Sequence, residues 1–390
     1  MKKTEGPRKE AMAQTRKHWV RLSRSCNNRC IFCLDKKNQD GAAVSLKHIE
    51  ADLEEGRQSG CRRVVLSGGE PTINPEFLEI VIKAKELGYR HIQVITNGRM
   101  FAYQAFLNEA VKGGMVEATF SMHGHNSRLH DKQTQVSGSF LQSLTGLVNA
   151  LKTKKLIVNM DIVVNKTNIA YLPDILRFFV DLGVREFDLL QVAPLGSAWE
   201  NRRRLFYDFK KAGNNLRQAF KFSRNKNLRL WADCFPPQYL EGFESLIPEP
   251  VKLYDEISGR IGIFERFTKH GEPMYCRGKR CSWCLLNDFC NDIMELKSKS
   301  KIDPHKIPYC LKEKNNLKGL KSPLKYSLNG ASLNVFDFLK FYIKKRYFIK
   351  SLRCRKCIYY NECAGMQCDY IRKYGFKSLA PLNAGSANNG

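Results

Sequence analysis

Apolar residues along this chain follow two alternating spacings. Short runs rich in Val, Ile and Leu, at Trp19 to Ser23, Arg62 to Ser67, His91 to Thr96, Val116 to Ser121, Leu156 to Val164 and Phe187 to Val192, read as strands. Between them apolar residues recur three and four apart, which is the period of a helix with one buried face. Ser45 to Ser59 is such a stretch, closed by Gly60; Ala102 to Lys112 and about Ser139 to Thr153 are others, and Ile175, Phe178, Phe179 and Leu182 mark the next. Asn74-Pro75-Glu76 supplies an N-cap, a proline at the first helical position and an acid in the first turn, ahead of Phe77, Ile80, Val81, Ala84 and Leu87. Six strand-helix units in succession imply parallel strands joined by right-handed crossovers, and hence an α/β fold, a partial TIM-like (βα)6 barrel. Ligands in such barrels sit at the C-terminal ends of the strands.

The residues with chemical character fall at those ends. The first strand leads into Cys26-x3-Cys30-x2-Cys33, three thiols on one short loop. The second ends in Ser67-Gly68-Gly69-Glu70-Pro71-Thr72, the third in Thr96-Asn97-Gly98, and the fourth in Ser121-Met122-His123-Gly124, while Asn165 and Gln191 follow the fifth and sixth. Three thiolates can hold three corners of a cubic iron-sulfur cluster, which four cysteines normally complete, so one iron is left open to a ligand that is not protein. Zinc uses the same residues, and C-x2-C is also a zinc half-site. Adjacent glycines after a strand let the backbone approach a ligand closely, because no Cβ intervenes. The loop after the fourth strand carries His123, His125 and His130, without the spacing and partner ligands of a metal site, so they read as hydrogen-bonded.

Taken together and in this order, the cysteine loop and the Gly-Gly-Glu-Pro element resemble the radical S-adenosylmethionine (radical SAM) superfamily over about residues 18 to 235. Its members read C-x3-C-x-aromatic-C, with Phe32 here in the aromatic place, and then G-G-E-P on the next strand. The resemblance implies that Cys26, Cys30 and Cys33 ligate a [4Fe-4S] cluster and that the methionyl group of S-adenosylmethionine completes the open iron. It further implies that Gly68, Gly69 and Glu70 receive the methionyl amino group, that Pro71 belongs to the same cofactor-binding element, and that Phe32 lies near the adenine. Ser121 matches the serine of a strand-end S-x-D-G element that contacts the same cofactor; His123 stands where the family has the acid. Asn97, Asn165 and Gln191 complete the expected cofactor-binding set. The implied chemistry is reductive cleavage of the sulfonium to a 5'-deoxyadenosyl radical that abstracts hydrogen from a substrate, with an electron donor such as flavodoxin or ferredoxin.

The chain has 390 residues, enough for a large domain and a smaller one, and its 43% hydrophobic and 26% charged residues are those of a globular protein. No apolar run reaches the roughly 20 residues needed to cross a bilayer. Met1 to Thr15 is polar and lacks the apolar core of a secretory signal, so a cytoplasmic location is expected. In a reducing compartment fourteen cysteines argue for metal ligation rather than disulfides. Sixty-five basic against 38 acidic residues give a net charge of +27, which can attract nucleic acid or an acidic peptide; a solvated basic face is the plainer explanation.

Beyond the barrel, Pro236-Pro237, Pro248 and Pro250 mark a linker, which divides the chain into a tail (1–17), a barrel (18–235), a linker (236–275), a cysteine-rich domain (276–375) and a second tail (376–390). That domain carries Cys276-x4-Cys281-x2-Cys284-x5-Cys290 and then Cys354-x2-Cys357-x5-Cys363-x4-Cys368. A repeated C-x2-C-x5-C with four thiols apiece points to two metal sites, zinc or cubic clusters. After a radical SAM barrel the blocks resemble the SPASM auxiliary-cluster domain, whose core reads C-x2-C-x5-C-x3-C; one extra residue precedes Cys368 here. Cys310 can replace Cys276, so the two ligand sets stay open. Cys61 and Cys234 read as buried, inert thiols. Val335 to Leu352 has an apolar face beside Lys340, Lys344, Lys345 and Arg346, which could lie on an anionic membrane and more simply packs on its own domain. Three functions follow: modification of a peptide or protein side chain, modification of RNA, and a non-catalytic electron carrier, the last leaving G-G-E-P without a task.

Overall fold

The computed structural model describes residues 17–305, 308–312, 325–328 and 332–383. Of the expected tails, residues 1–16 and 384–390 lie outside these residues, whereas the second begins packed, with Phe376 and Leu379 buried. Contacts divide the chain into two compact units, Met1–Leu230 and Trp231–Gly390.

The first unit is built on a sheet whose strands follow chain order: β1 (Lys17–Ser23), β2 (Arg63–Gly68), β3 (His91–Thr96), β4 (Met115–Ser121), β5 (Ile157–Val164), β6 (Glu186–Gln191) and β7 (Arg229–Asp233). Neighbours from β1 to β6 pair in parallel. This is the expected open α/β barrel, with one more strand than the hydrophobic runs announce. β7 is short and carries Arg229, Trp231 and Asp233 among its five residues, so its sequence lacks the apolar run that marks the others.

Helices return the chain between strands. α1 (Leu46–Gln58) starts at Ser45, whose side chain accepts the His48 N–H. α2 (Phe77–Glu86) and α3 (Gln104–Gly113) follow, and α2 buries Phe77, Ile80, Val81 and Ala84 as the spacing requires. Between β4 and β5 the expected loop holds a helix, α4 (Ser127–Thr134), ahead of α5 (Ser139–Lys152). Only Leu129 is apolar on α4, so periodicity is silent; Asn126 starts it by accepting the Leu129 N–H. α6 (Leu172–Leu182) buries Leu172, Ile175, Leu176 and Phe179, and Gly183 closes it in the left-handed region. The basic stretch after β6 divides into α7 (Gly196–Glu200), α8 (Arg202–Leu205) and α9 (Phe209–Phe220).

The side chains that alternate away from the helices meet inside the barrel. At its N-terminal end Arg63 donates to Gln93 at 2.7 Å and to both oxygens of Glu117 at 3.1 Å. Asn159 donates to Glu117 at 2.6 Å and His91 also bonds it, so polar groups from four strands plug the end away from the cysteine loop.

The second unit has its own core. The expected linker is part of it: α10 (Leu253–Ser258) and α11 (Ile261–Glu265) contribute Leu253, Ile257, Ile263 and Phe264. Prolines there interrupt helices without loosening the chain, since the segments between them bury apolar residues. α12 (Asn287–Lys299) supplies Phe289, Ile293 and Leu296, and the ribbon of β8 (Lys301–Ile302) and β9 (Tyr326–Ser327) supplies Ile302. After α13 (Tyr309–Lys312) comes α14 (Val335–Lys345), whose Val335, Phe338, Leu339 and Tyr342 enter the same core. Its apolar face therefore packs on its own unit. β10 (Phe348–Ile349) pairs antiparallel with β11 (Met366–Gln367), and α15 (Cys368–Tyr374) follows. A buried, two-pronged pair, Arg346 to Asp292 at 2.5 and 2.8 Å, ties the end of α14 to α12.

Removing Glu117 strands the Arg63 guanidinium among buried groups. Glu117→Ala is expected to destabilise the first unit by about 3 kcal/mol, read as a lower urea midpoint in a transition followed by circular dichroism.

Candidate metal and cofactor site

The loop carrying Cys26, Cys30 and Cys33 is held by backbone and side-chain bonds from the ends of β2 and β3 and from α4 and α7. Gly69 N–H donates to the Ser23 carbonyl and Glu70 N–H to that of Ser25, both at 2.8 Å. The glycines explain how the two loops come so close. A Cβ on Gly69 would stand 2.0 Å from the Ser25 oxygen, and one on Gly68, whose φ is +128°, 2.5 Å from that of Ser23. The close approach the glycines permit is thus first to the cysteine loop itself. From β3, Asn97 donates to the Asn27 side chain at 2.6 Å, and Arg99 reaches the Asn27 carbonyl and, at 3.1 Å, the Asn28 side chain. From α4, the carbonyls of Thr134 and Gln133 accept the N–H groups of Arg29 and Ile31 at 2.8 and 2.9 Å. From α7, Ser197 N–H donates to the Cys33 carbonyl at 2.9 Å and Asn201 to that of Ile31 at 3.0 Å.

Held this way, the thiols face one another. Burial raises all three, Cys26 to about 11, and the charge of Cys30 is further opposed by Cys26 and Cys33. Positive charge placed among them reverses that repulsion, which is what a cluster's irons supply. Asn28 N–H points at the Cys26 sulfur at 3.4 Å and the Gln39 amide at that of Cys33 at 3.3 Å, as donors to a thiolate do. A cavity of about 120 Å³ opens on Cys30 and Cys33, bordered by Arg29, Lys36 and Gln39. Three sulfur donors with no fourth protein ligand in the loop fit a cubic cluster with one open iron.

The other expected cofactor contacts separate into two kinds. Ser121 is half-buried at the end of β4, beside Asp161 of β5 in the sheet register, and Pro71 begins the turn after Glu70. Glu70 is buried and already occupied. Its carboxylate accepts from Thr72 N–H at 3.1 Å, Thr72 Oγ1 at 2.5 Å, Thr96 Oγ1 at 2.6 Å and Asn97 N–H at 2.7 Å, and burial raises its pKa. Its side chain joins the ends of β2 and β3, so an amino group approaching this element meets backbone and one remaining lone pair. Asn165 has no donor to spare: its amide gives bonds to Gln133 at 2.7 Å and the Val163 carbonyl at 3.0 Å, and its oxygen accepts two from Thr167. Gln191 accepts from the Tyr207 hydroxyl. Both read as cofactor contacts in sequence because polar residues end their strands; in the fold they tie neighbouring loops.

Phe32 is 8% exposed and meets the edge of the His123 ring, centroids 4.6 Å apart. His123 is buried, and its Nδ1 accepts the Val163 N–H at 3.2 Å, so the neutral ring carries its proton on Nε2. His130 stacks on it at 5.9 Å and accepts the His123 N–H. The position where an acid is expected is therefore packing beneath the cysteine loop. Sequence alone also gave no sign of Asn27, Arg99, Gln133 and Asn201, since polar loop residues are common and only the fold aims them at one another.

In the second unit the eight clustered thiols sort differently from their order. Each C-x2-C forms the same tight turn, with Cys284 N–H to the Cys281 carbonyl at 3.1 Å and Cys357 N–H to that of Cys354 at 2.9 Å; Cys33 and Cys30 repeat it at 3.1 Å. Cys276, Cys281, Cys284 and Cys290 form one set, each charge of Cys290 and Cys276 opposed, after burial, by the other thiols. The second set is Cys354, Cys357, Cys363 and Cys310, which line one pocket. Cys368 is not in it. It begins α15, 1% exposed, its N–H on the Tyr347 carbonyl and its charged neighbours Asp369 and Arg372. Nor does Cys310 displace Cys276. The x4 spacing after Cys363 carries Cys368 into β11 and onto α15, which turns its thiol away from the set. Among the described residues no three His, Cys, Asp or Glu side chains form a site for a single metal ion. A cavity of about 530 Å³ lies beside the first set, lined by Cys281, Cys284, Trp283 and Asp288 and, from the far side, by Lys350 and Tyr360.

Residues 20–179, from β1 to α6, match the family model of the radical SAM superfamily, and that family implies a [4Fe-4S] cluster and S-adenosylmethionine. A protein of Sulfurisphaera tokodaii named "Probable GTP 3',8-cyclase" is 25% identical over 300 residues, 76% of this chain and 92% of that protein. One of the same name from Saccharolobus solfataricus is 28% identical over 178 residues, 45% of this chain and 57% of its own, so there the match spans little more than half of the relative. Among solved structures, Streptococcus suis SuiB bound to precursor peptide SuiA has 16% identity, covers 96% of this chain and 76% of its own, and gives a TM-score of 0.49. The complex titled "Native anSMEcpe with bound AdoMet and Cp18Cys peptide" has 17% identity over 55% of this chain and 62% of its own, with a TM-score of 0.44. Likenesses of this degree bear on neither substrate nor chemistry.

Two outcomes follow for the loop. Gly69→Ala is expected to cost about 1–3 kcal/mol by forcing the loops apart, and to lower the iron retained by the first three cysteines on anaerobic reconstitution. Burial pulls His130 down to about 4 from 6.5 and also holds His123 well below its ordinary value. Below pH 6.5 the unfolded chain binds protons that the folded barrel refuses, so stability is lost as pH falls from 6.5 towards 4. The urea midpoint should drop between pH 7 and pH 5, and less so in His130→Asn, whose amide oxygen can still accept the His123 N–H.

Proposed function

We propose that this radical SAM chain oxidises a peptide or protein side chain, using Cys26, Cys30 and Cys33 for the cluster that engages S-adenosylmethionine and two auxiliary [4Fe-4S] clusters of SPASM type in the second unit. When bound, the first cluster delivers one electron to the sulfonium, and the released 5'-deoxyadenosyl group takes a hydrogen atom from substrate. The chain's own residues set the stage for that chemistry. The backbone of Gly68 to Glu70 and the half-buried Ser121 sit where the cofactor's polar groups are expected, Asn97 and Arg99 fix the cysteine loop, and Phe32 and His123 exclude water beneath it.

The observation that carries the reading is the division of eight thiols into two sets of four. Four thiolates complete a cubic cluster and leave no iron open, so neither set offers a place to bind substrate through iron. Such sites suit electron transfer. A dehydrogenation or cross-link removes one hydrogen atom, then one proton and one electron as the new bond forms; the electron needs an acceptor, and these sets supply ligands for one. The polar 530 Å³ cavity beside the first set is of a size that admits side chains of an extended segment. An external donor of the flavodoxin or ferredoxin class provides the first electron.

A second reading has its own support, since relatives covering up to 92% of their length bear the name of a GTP cyclase. The two separate cleanly. Reconstituted anaerobically, the chain should hold about twelve irons, or about four if the C-terminal sets take zinc. Cys310→Ser should lose roughly a third of the iron, whereas Cys368→Ser should keep it all. With reductant and S-adenosylmethionine, 5'-deoxyadenosine should form and vanish in Cys30→Ser. A short peptide encoded beside the gene should lose two hydrogens by mass spectrometry; conversion of GTP to a cyclised nucleotide, with the peptide unchanged, would overturn the peptide reading.

A further inference from the structure

The two four-thiol sets differ in one respect that their sequences hide. Arg260, at the start of α11, places Nη1 3.6 Å from the Cys284 sulfur. Its other nitrogen bonds Glu256 at 2.8 Å, one helical turn earlier, and the side chain is only 17% exposed. Glu256 in turn receives the thiol of Cys234, 3.5 Å away, which burial and the nearby carboxylates keep protonated. The guanidinium is thus locked from one side and aimed at a ligand sulfur from the other. Arg277, held by Asn287 and Asn291 at 3.3 and 2.8 Å, adds a second positive charge near Cys290. The second set receives a neutral donor: Gly365 N–H points at the Cys363 sulfur at 3.3 Å. The groups opposing the charges of Cys310 and Cys354 are the other thiols of that set. Lys350 also lines the pocket of that set, but its ammonium donates to the Tyr360 carbonyl at 2.7 Å.

Hydrogen bonds and positive charge at a cluster's sulfurs favour its reduced, more negative state, and a buried guanidinium does so more strongly than a backbone amide. We propose that Arg260 is a positioning residue that raises the reduction potential of the cluster held by Cys276, Cys281, Cys284 and Cys290 above that of the cluster held by Cys310, Cys354, Cys357 and Cys363. The two sites are then unequal, and an electron entering the second unit comes to rest on the first set. Arg260 touches neither substrate nor the reacting atoms; it acts through Cys284. The proposal rests on both sets holding iron-sulfur clusters.

The test is a redox titration of the anaerobically reconstituted full chain, followed by electron paramagnetic resonance, with iron and zinc measured on the same samples. In the unaltered protein the two auxiliary clusters should reduce at separate potentials, and substituting Cys284 should remove the higher of the two. Arg260→Gln should lower that potential alone at unchanged iron content, and Arg260→Lys, which keeps the charge but not the fork, should lower it less. Unmoved potentials with full iron, or an equal shift of both clusters, would overturn the role of Arg260 and leave the cluster assignment standing. Zinc in the C-terminal sets would instead remove the clusters themselves and the proposal with them. Should Arg260→Gln lose iron, Arg260→Lys decides alone: no shift in it refutes the proposal.

Discussion

A backbone seam between two loops governs the barrel's site. Gly69 N–H to Ser23 O and Glu70 N–H to Ser25 O continue the β1–β2 pairing past the ends of the strands, and carry the cysteine loop out over the barrel mouth. With no room for a Cβ at either glycine, the seam admits no substitute at those positions without moving one loop. The end of β3 and the helices α4 and α7 add bonds to the same loop. A cluster ligated by three residues of one flexible segment needs that support, because its free iron must stay at a fixed distance from whatever completes it.

The polar residues around the seam make sense in that light. Glu70 gives up most of its hydrogen-bonding capacity to join β2 to β3, Asn165 gives its amide to Gln133 of α4 and the Val163 carbonyl, and His123 spends its acceptor on Val163. These groups are costly to bury unless fully paired, and here they are paired to one another. The second unit uses the opposite economy. Each of its two sets carries one copy of the same tight turn, and the sets differ in what approaches the sulfurs from outside: a guanidinium at Cys284, a backbone amide at Cys363.

The chain alone fixed the strand-helix alternation, the three cysteines of the first loop and the Gly-Gly-Glu-Pro element, because these are local patterns. Val64 to Leu66 is buried and His91 to Thr96 is the third strand, as the hydrophobic runs require. Local pattern also gave the repeated C-x2-C-x5-C blocks. It failed wherever a residue's task depends on something distant in sequence. α4 has too few apolar residues to announce itself, β7 is too polar, and the proline-rich stretch after 236 packs despite its punctuation. The partner of Cys354, Cys357 and Cys363 lies more than forty residues upstream at Cys310, while Cys368, five residues beyond Cys363, turns away. Spacing can say how many thiols are near in the chain. Only the tertiary fold decides which of them face one volume, because a side chain's direction is set by the element it ends up on.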